Sequence, residues 1–155
     1  MSDKRYMLDS SAVLAMMLGE NGGDQVRERL AASHISAVNL SEVVAKLQEG
    51  GVPDEVITSS LAELNFDVLA FDQSQAVHAG LLRAATRSVG LSLGDRACLS
   101  AAESCNAVAV TTDRAWGKLD VDIAVDVLRE VPLPTQDLSA ASGPIVLKNT
   151  PLQWW

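Results

Sequence analysis

The chain has 155 residues, of which 48% are apolar and 4% aromatic, and it carries a net charge of −8. That is one domain of ordinary size with material for a core, and its wealth of Ala, Val and Leu favours helices packed on a sheet over a β-sandwich. The acidity argues against a generic nucleic-acid binder built on Lys and Arg, and suits a cation site, a basic partner or plain solubility.

The opening Met-Ser-Asp-Lys-Arg-Tyr is not an apolar signal segment. No later run approaches the roughly 18 apolar residues of a membrane span, so the expectation is a soluble, cytoplasmic protein. With two Cys and two His there is no zinc constellation. Cys98 and Cys105 fall two helical turns apart, roughly 10 Å, which is too far for a disulfide, so both are read as reduced thiols.

Residues 6–9 (Tyr-Met-Leu-Asp) form an apolar run that ends in a carboxylate, the pattern of a buried strand. Ser10 and Ser11 can cap a helix over Ala12 to Leu18, which Gly19 to Gly23 breaks. A second helix is expected from Asp24 to Ala32 and a second strand from His34 to Val38. Asn39 to Gln48 then carries Leu40, Val43, Val44 and Leu47 at helical spacing.

Gly50 and Gly51 stop that helix, and Pro53 can begin another whose apolar face is Val56, Ile57, Leu61 and Leu64. Phe66 to Phe71 alternates as a third strand. Asp72 to Ser88 reads as one long helix with Ala76, Ala79, Leu82 and Ala85 inward. A helix over Gly94 to Ser104, a β-branched strand over Ala107 to Thr111 and a last strand over Val121 to Leu128 complete the pattern. Strands alternating with helices predict a parallel sheet covered on both faces. The periodicity fails from Val131, so the domain is placed at residues 1–130, with 131–155 as a C-terminal tail.

The chemistry rests on carboxylates. Asp9 closes the first strand, Asp113 lies just past the strand ending at Thr111, Asp95 opens a helix, and Glu42 sits in the first turn of the helix after the second strand. Open α/β sheets bind ligands outside the carboxyl ends of their strands, where all four can converge. Taken singly, each has an ordinary reading: Asp9 as a loop residue or cap, Asp95 as a helix-dipole partner, Glu42 as an i, i+4 mate of Lys46, and Asp113 as a turn former. Taken together they repel, by roughly 3 kcal/mol for a pair about 5 Å apart, unless protonated or bound to a cation. Hard oxygen ligands suit Mg²⁺ or Mn²⁺, which can activate water against a phosphodiester.

The stretch 6–12 (Tyr-Met-Leu-Asp-Ser-Ser-Ala) resembles the opening of PIN domains, especially VapC-like toxins. Asn39-Leu40-Ser41-Glu42-Val43 resembles their second motif, residues 91–99 (Leu-Ser-Leu-Gly-Asp-Arg-Ala-Cys-Leu) the third, and residues 110–116 (Val-Thr-Thr-Asp-Arg-Ala-Trp) the fourth. The resemblance covers about residues 5 to 130. It implies a three-layer α/β/α sandwich that hydrolyses single-stranded or loop RNA with Mg²⁺ or Mn²⁺. On that likeness Asp9, Glu42, Asp95 and Asp113 form the catalytic metal cage, with Ser10 and Thr111 orienting carboxylates.

The resemblance further implies a homodimer silenced by an antitoxin whose basic tail enters the acidic groove. Arg83, Arg87, Arg96, Arg114 and Lys118 are the candidate RNA-binding positions, each with a solvated helix face as its plainer reading. His34, His78 and Trp116 are read as structural. Two rivals are a phosphatase with Asp9 as nucleophile, which would want an acid where Ser11 stands, and a catalytically inactive PIN-like scaffold. Nothing familiar matches residues 144–155.

Overall fold

A computed structural model describes residues 3–128, so the expected tail at 131–155 lies outside the described residues. Strand β1 (Tyr6–Leu8) leads into α1 (Ser10–Leu18) and α2 (Gly23–Arg29). Strand β2 (Ser33–Ser36) precedes α3 (Ala37–Glu49) and α4 (Asp54–Leu64), and β3 (Asp67–Leu69) precedes α5 (Gln73–Leu81) and α6 (Arg83–Thr86). Helix α7 (Leu93–Ser104) then feeds β4 (Val108–Thr111), and β5 (Val125–Val127) ends the described chain. All five strands pair in parallel, in the order β3-β2-β1-β4-β5.

The three-layer α/β/α expectation holds. Side chains alternate across a strand, so Met7 and Leu8 enter opposite layers. Leu8 and Val110 join a core built from α1 to α4, including Val13, Val43, Leu47 and Ile57. Met7 and Ala109 join a second core with Cys98, Leu99, Ala102 and Trp116. The central strands are buried on both faces, which is why they read as continuous apolar runs. Gly23 serves contact: a Cβ there would sit 2.8 Å from the Ala15 carbonyl carbon, so only glycine lets α2 start against α1.

Several sequence expectations shift. The helix expected over Asp72 to Ser88 breaks at Leu82, between α5 and α6. Gly80 weakens the helix just before the break, and the Thr86 hydroxyl donates back to the Leu82 carbonyl at 2.8 Å. Its buried positions are Gln75, Ala79 and Thr86, Leu82 is partly buried against the second core, and Ala76 and Ala85 are exposed. Val56, expected inward, is also exposed. The last strand is shorter than Val121 to Leu128, because its ladder with β4 starts where the Ala109 N–H donates to the Ala124 carbonyl, with Ala109 and Val125 as the first register pair. Ala37 and Val38, read as strand, open α3 instead, with the Ser36 hydroxyl accepting from the Val38 N–H as its cap.

Candidate active site

From β1 the chain crosses to β2 and β3 on one side, and it returns to β4 and β5 on the other. The carboxyl ends of β1 and β4 therefore form the switch point, the crevice where such sheets receive ligands. Asp9 sits there, its N–H donating to the Val110 carbonyl at 2.9 Å and extending the ladder by one residue. It is the N-cap of α1 in position, yet its side chain does not cap. Instead Oδ2 accepts from Ser11 Oγ at 2.6 Å and Thr111 Oγ1 at 3.1 Å. Its Oδ1 is buried with no partner among the described residues.

Only 2% of Asp9 is exposed, and this burial is the main cause that pushes its carboxyl up to about 6. The Ser11 and Thr111 hydroxyls pull the other way, while the charges of Asp95 and Glu42 add to the rise. Because the folded value lies above the unfolded 3.8, the native state holds more protons than the unfolded one between the two. Stability therefore falls as pH rises through that window, by on the order of 3 kcal/mol. A cation near Oδ1 would offset that penalty.

Glu42 and Asp95 approach from two different helices. Asn39 and Glu42 share one face of α3 at i, i+3, and the Asn39 Nδ2 donates to Glu42 Oε2 at 3.1 Å. The same amide donates to the Gly94 carbonyl at 3.0 Å, one residue before Asp95. At Gly94 an added Cβ would collide with the Glu42 carboxylate, so the carboxylate keeps this position against α7 only over a glycine. Asp95 accepts from the Ser92 N–H at 2.9 Å, and the Ser92 hydroxyl in turn accepts from the Asp95 N–H at 3.1 Å. That reciprocal box means Asp95 fills its ordinary helix-opening role as well. Beneath it, burial pushes the Cys98 thiol well above its usual value, with the charges of Asp9, Asp95 and Glu42 adding to the shift.

Asp113 stands apart from these three. It is exposed, and its Oδ1 accepts from the Ala115 N–H at 3.0 Å, capping the short turn over Arg114–Lys118. Thr111 links it to the buried centre, donating to Asp9 while its hydroxyl accepts from the Asp113 N–H at 3.1 Å. Among the described residues no three His, Cys, Asp or Glu side chains gather closely enough to hold a metal ion as they stand. The expected cage of four is thus three carboxylates in one electrostatic neighbourhood and a fourth on the rim. The donor chemistry nevertheless fits Mg²⁺ or Mn²⁺: hard oxygens, one of them buried and orphaned, around ions that keep several waters and need few direct ligands.

Other candidates are redistributed. Ser10, expected to orient a carboxylate, is buried in the first turn of α1, and Ser11 makes the contact with Asp9. Ser11 Oγ also accepts from the Thr112 N–H at 3.1 Å, which ties α1 to the end of β4. The half-buried Arg96 donates from its guanidinium to the Ala79 carbonyl at 2.8 Å and joins α7 to α5. Arg83, Arg87, Arg114 and Lys118 are exposed.

Lys46 makes no ion pair with Glu42 among the described residues, because the Glu42 carboxylate is turned toward Asn39 and Gly94. Lys46 instead lines a pocket of about 300 Å³ with Ser11, Leu14, Leu18, Glu20, Glu49 and Thr112, directly beside Asp9's partners. His78 joins Glu103 at 2.7 Å and Ser100 at 3.1 Å, His34 joins Asp67 at 2.8 Å, and Trp116 is buried; all three are structural.

Ser11, Asn39 and Gly94 were missed as site residues. The i, i+3 spacing of Asn39 and Glu42 was the one signal in the sequence that could have found Asn39.

The sequence matches the PIN domain family over residues 6–122. No curated protein matches. Among solved structures, DNA-bound VapBC from Salmonella typhimurium aligns with a TM-score of 0.64 at 20% identity, covering 81% of this chain and 99% of that one. A toxin–antitoxin complex from Klebsiella pneumoniae aligns at 0.61 and 17% identity, with 81% and 99% covered. VapBC-5 from Mycobacterium tuberculosis aligns at 0.54 and 20% identity, with 81% and 98% covered. At these identities the structures share the fold.

Proposed function

Because this chain belongs to the PIN-domain family, we propose that it is a metal-dependent endoribonuclease and the toxin of a toxin–antitoxin pair. The observation that carries this reading is Asp9: a carboxylate at the switch point, buried, lifted to about 6, with one oxygen orphaned and the charges of Asp95 and Glu42 pressing on it. A protein without a ligand for that oxygen would gain stability by replacing it.

Asp9, Glu42 and Asp95 are the residues that would hold Mg²⁺ or Mn²⁺, with Asp113 reaching in from the rim. When bound there, such an ion would activate water and stabilise negative charge at a phosphodiester. Ser11 and Thr111 fix Oδ2 of Asp9, which leaves Oδ1 as its remaining donor. The exposed Arg83, Arg87, Arg114 and Lys118 are candidates for holding RNA phosphates, an electrostatic attachment that salt weakens. The partners of this reading are an RNA substrate, a second copy of the chain, and an antitoxin whose basic tail suits the acidic centre. Support for the antitoxin comes from the fold shared with chains of toxin–antitoxin complexes. Support for the second copy is the exposure of Val77, Leu81 and Leu93 on α5 and α7. No helix among the described residues is long and apolar enough to cross a membrane.

The test is a cleavage assay of the purified, antitoxin-free protein on pooled cellular RNA with Mg²⁺, Mn²⁺ or EDTA. Discrete fragments that vanish with EDTA and in Asp95→Asn are expected. A folded protein that binds Mn²⁺ and cuts no RNA would instead favour a PIN-like binding scaffold.

A further inference from the structure

Asn39 is completely buried, on the face of α3 that meets the first turn of α7. Its Nδ2 has two hydrogens and two acceptors, Glu42 Oε2 at 3.1 Å and the Gly94 carbonyl at 3.0 Å. Both partners are pure acceptors, so the amide orientation is forced: a flipped side chain would set oxygen against oxygen twice. In the forced orientation Oδ1 is left buried with no partner among the described residues. An unpaired buried carbonyl is destabilising, and a Leu or Val of similar size at this core position would avoid it. Packing alone therefore gives no reason for an amide here.

Its geometry does. Asn39 lies in the first turn of α3 and Gly94 in the first turn of α7, so one planar group joins Glu42, one turn further along α3, to the helix start that presents Asp95. Gly94 completes the device from the other side, since any Cβ would displace the Glu42 carboxylate. The amide holds Glu42 at one oxygen and the glycine leaves room for the other.

We propose that Asn39, with Gly94 as its seat, is a positioning residue that locks the Glu42 carboxylate to the Asp95 helix start and so presets the spacing at which the two meet a divalent cation. The proposal rests on the metal-dependent reading above and adds to it a residue that does not itself touch the ion. A preset pair loses little freedom on binding, whereas a released Glu42 must be ordered each time.

The measurement is calorimetric titration of Mn²⁺ into the RNA-free protein. Asn39→Ala is expected to weaken Mn²⁺ binding about tenfold or more, and Gly94→Ala, which keeps the amide but shifts Glu42, by a similar factor. In a Glu42→Gln background both substitutions should cost almost nothing further, because they act through that one carboxylate. Thr86→Val, which removes an equally buried polar group from α6, should lower the melting temperature and leave Mn²⁺ binding unchanged.

Unaltered Mn²⁺ affinity in Asn39→Ala, or the same loss in the presence and absence of Glu42, would overturn the positioning role while the metal reading stands. A wild-type protein that binds no Mn²⁺ would overturn both. Should Asn39→Ala fail to fold, Gly94→Ala and its combination with Glu42→Gln decide the question by the same comparison.

Discussion

The ends of β1 and β4 lie side by side in the sheet, and an aspartate stands just past each, yet the two aspartates live in different physical worlds. Asp9 is sealed in, held at one oxygen by two hydroxyls and pressed by two neighbouring carboxylates. Asp113 is solvated and occupied with capping its own turn. The difference arises from the backbone leaving each strand. After β1, helix α1 begins at once and carries Asp9 beneath itself. After β4, the chain makes only a short turn at the surface. Burial makes a carboxylate costly and therefore informative, whereas an exposed one is stable without any ligand.

The largest effect that would break this contrast is in cleavage. Asp9→Asn is expected to abolish RNA cleavage, by at least about 10²-fold in kcat/KM, with the fold intact. Asp113→Asn should cost less, about tenfold, and equal losses in a gel-based rate assay would show that the rim position matters as much as the buried one. In stability the contrast takes another form. Urea melts of the metal-free wild type should lose on the order of 3 kcal/mol between about pH 4 and 7, as Asp9 ionises without a partner. Asp9→Asn should remove that slope, and Asp113→Asn should leave it in place. A wild type as stable at neutral pH as in mild acid would contradict the burial argument. Thr111→Val, which cuts the link between the two aspartates, should cost about 1–2 kcal/mol and lower activity with it. Smallest of all, Arg83→Ser with Arg87→Ser should raise KM a few-fold without changing kcat, most visibly at low salt.

How much of this the sequence displayed depended on the kind of interaction. The parallel sheet was legible because strands buried on both faces must be apolar throughout, as Met7, Leu8, Ala109 and Val110 are. Asp9 and Asp95 were legible as candidates because they sit at the end of a strand and the start of a helix, and Glu42 because it falls within two turns of the end of β2. What could not be seen was direction. Glu42 was equally able to pair with Lys46, and only the approach of α7 over Gly94 decides which way it turns. Nothing local marks the Ala79 carbonyl, 17 residues away, as a partner of Arg96. Ser10 and Ser11 are identical in chemistry, and the helix phase set by Asp9 at the N-cap selects Ser11. Local periodicity carries the elements; the choice among neighbouring polar groups belongs to contacts made across the sheet.

The pairing of β1 with β4 joins residues about a hundred positions apart, such as Leu8 with Val110. Contacts of that span are slow to form and, during synthesis, cannot form until the second partner has left the ribosome. Asp9 is made well before Thr111, Val110 and α7, which define its surroundings and lie in the last third of the described residues. A nascent or truncated polypeptide therefore carries the carboxylate without the crevice. This topology delays the crevice around Asp9 until most of the described domain has been made.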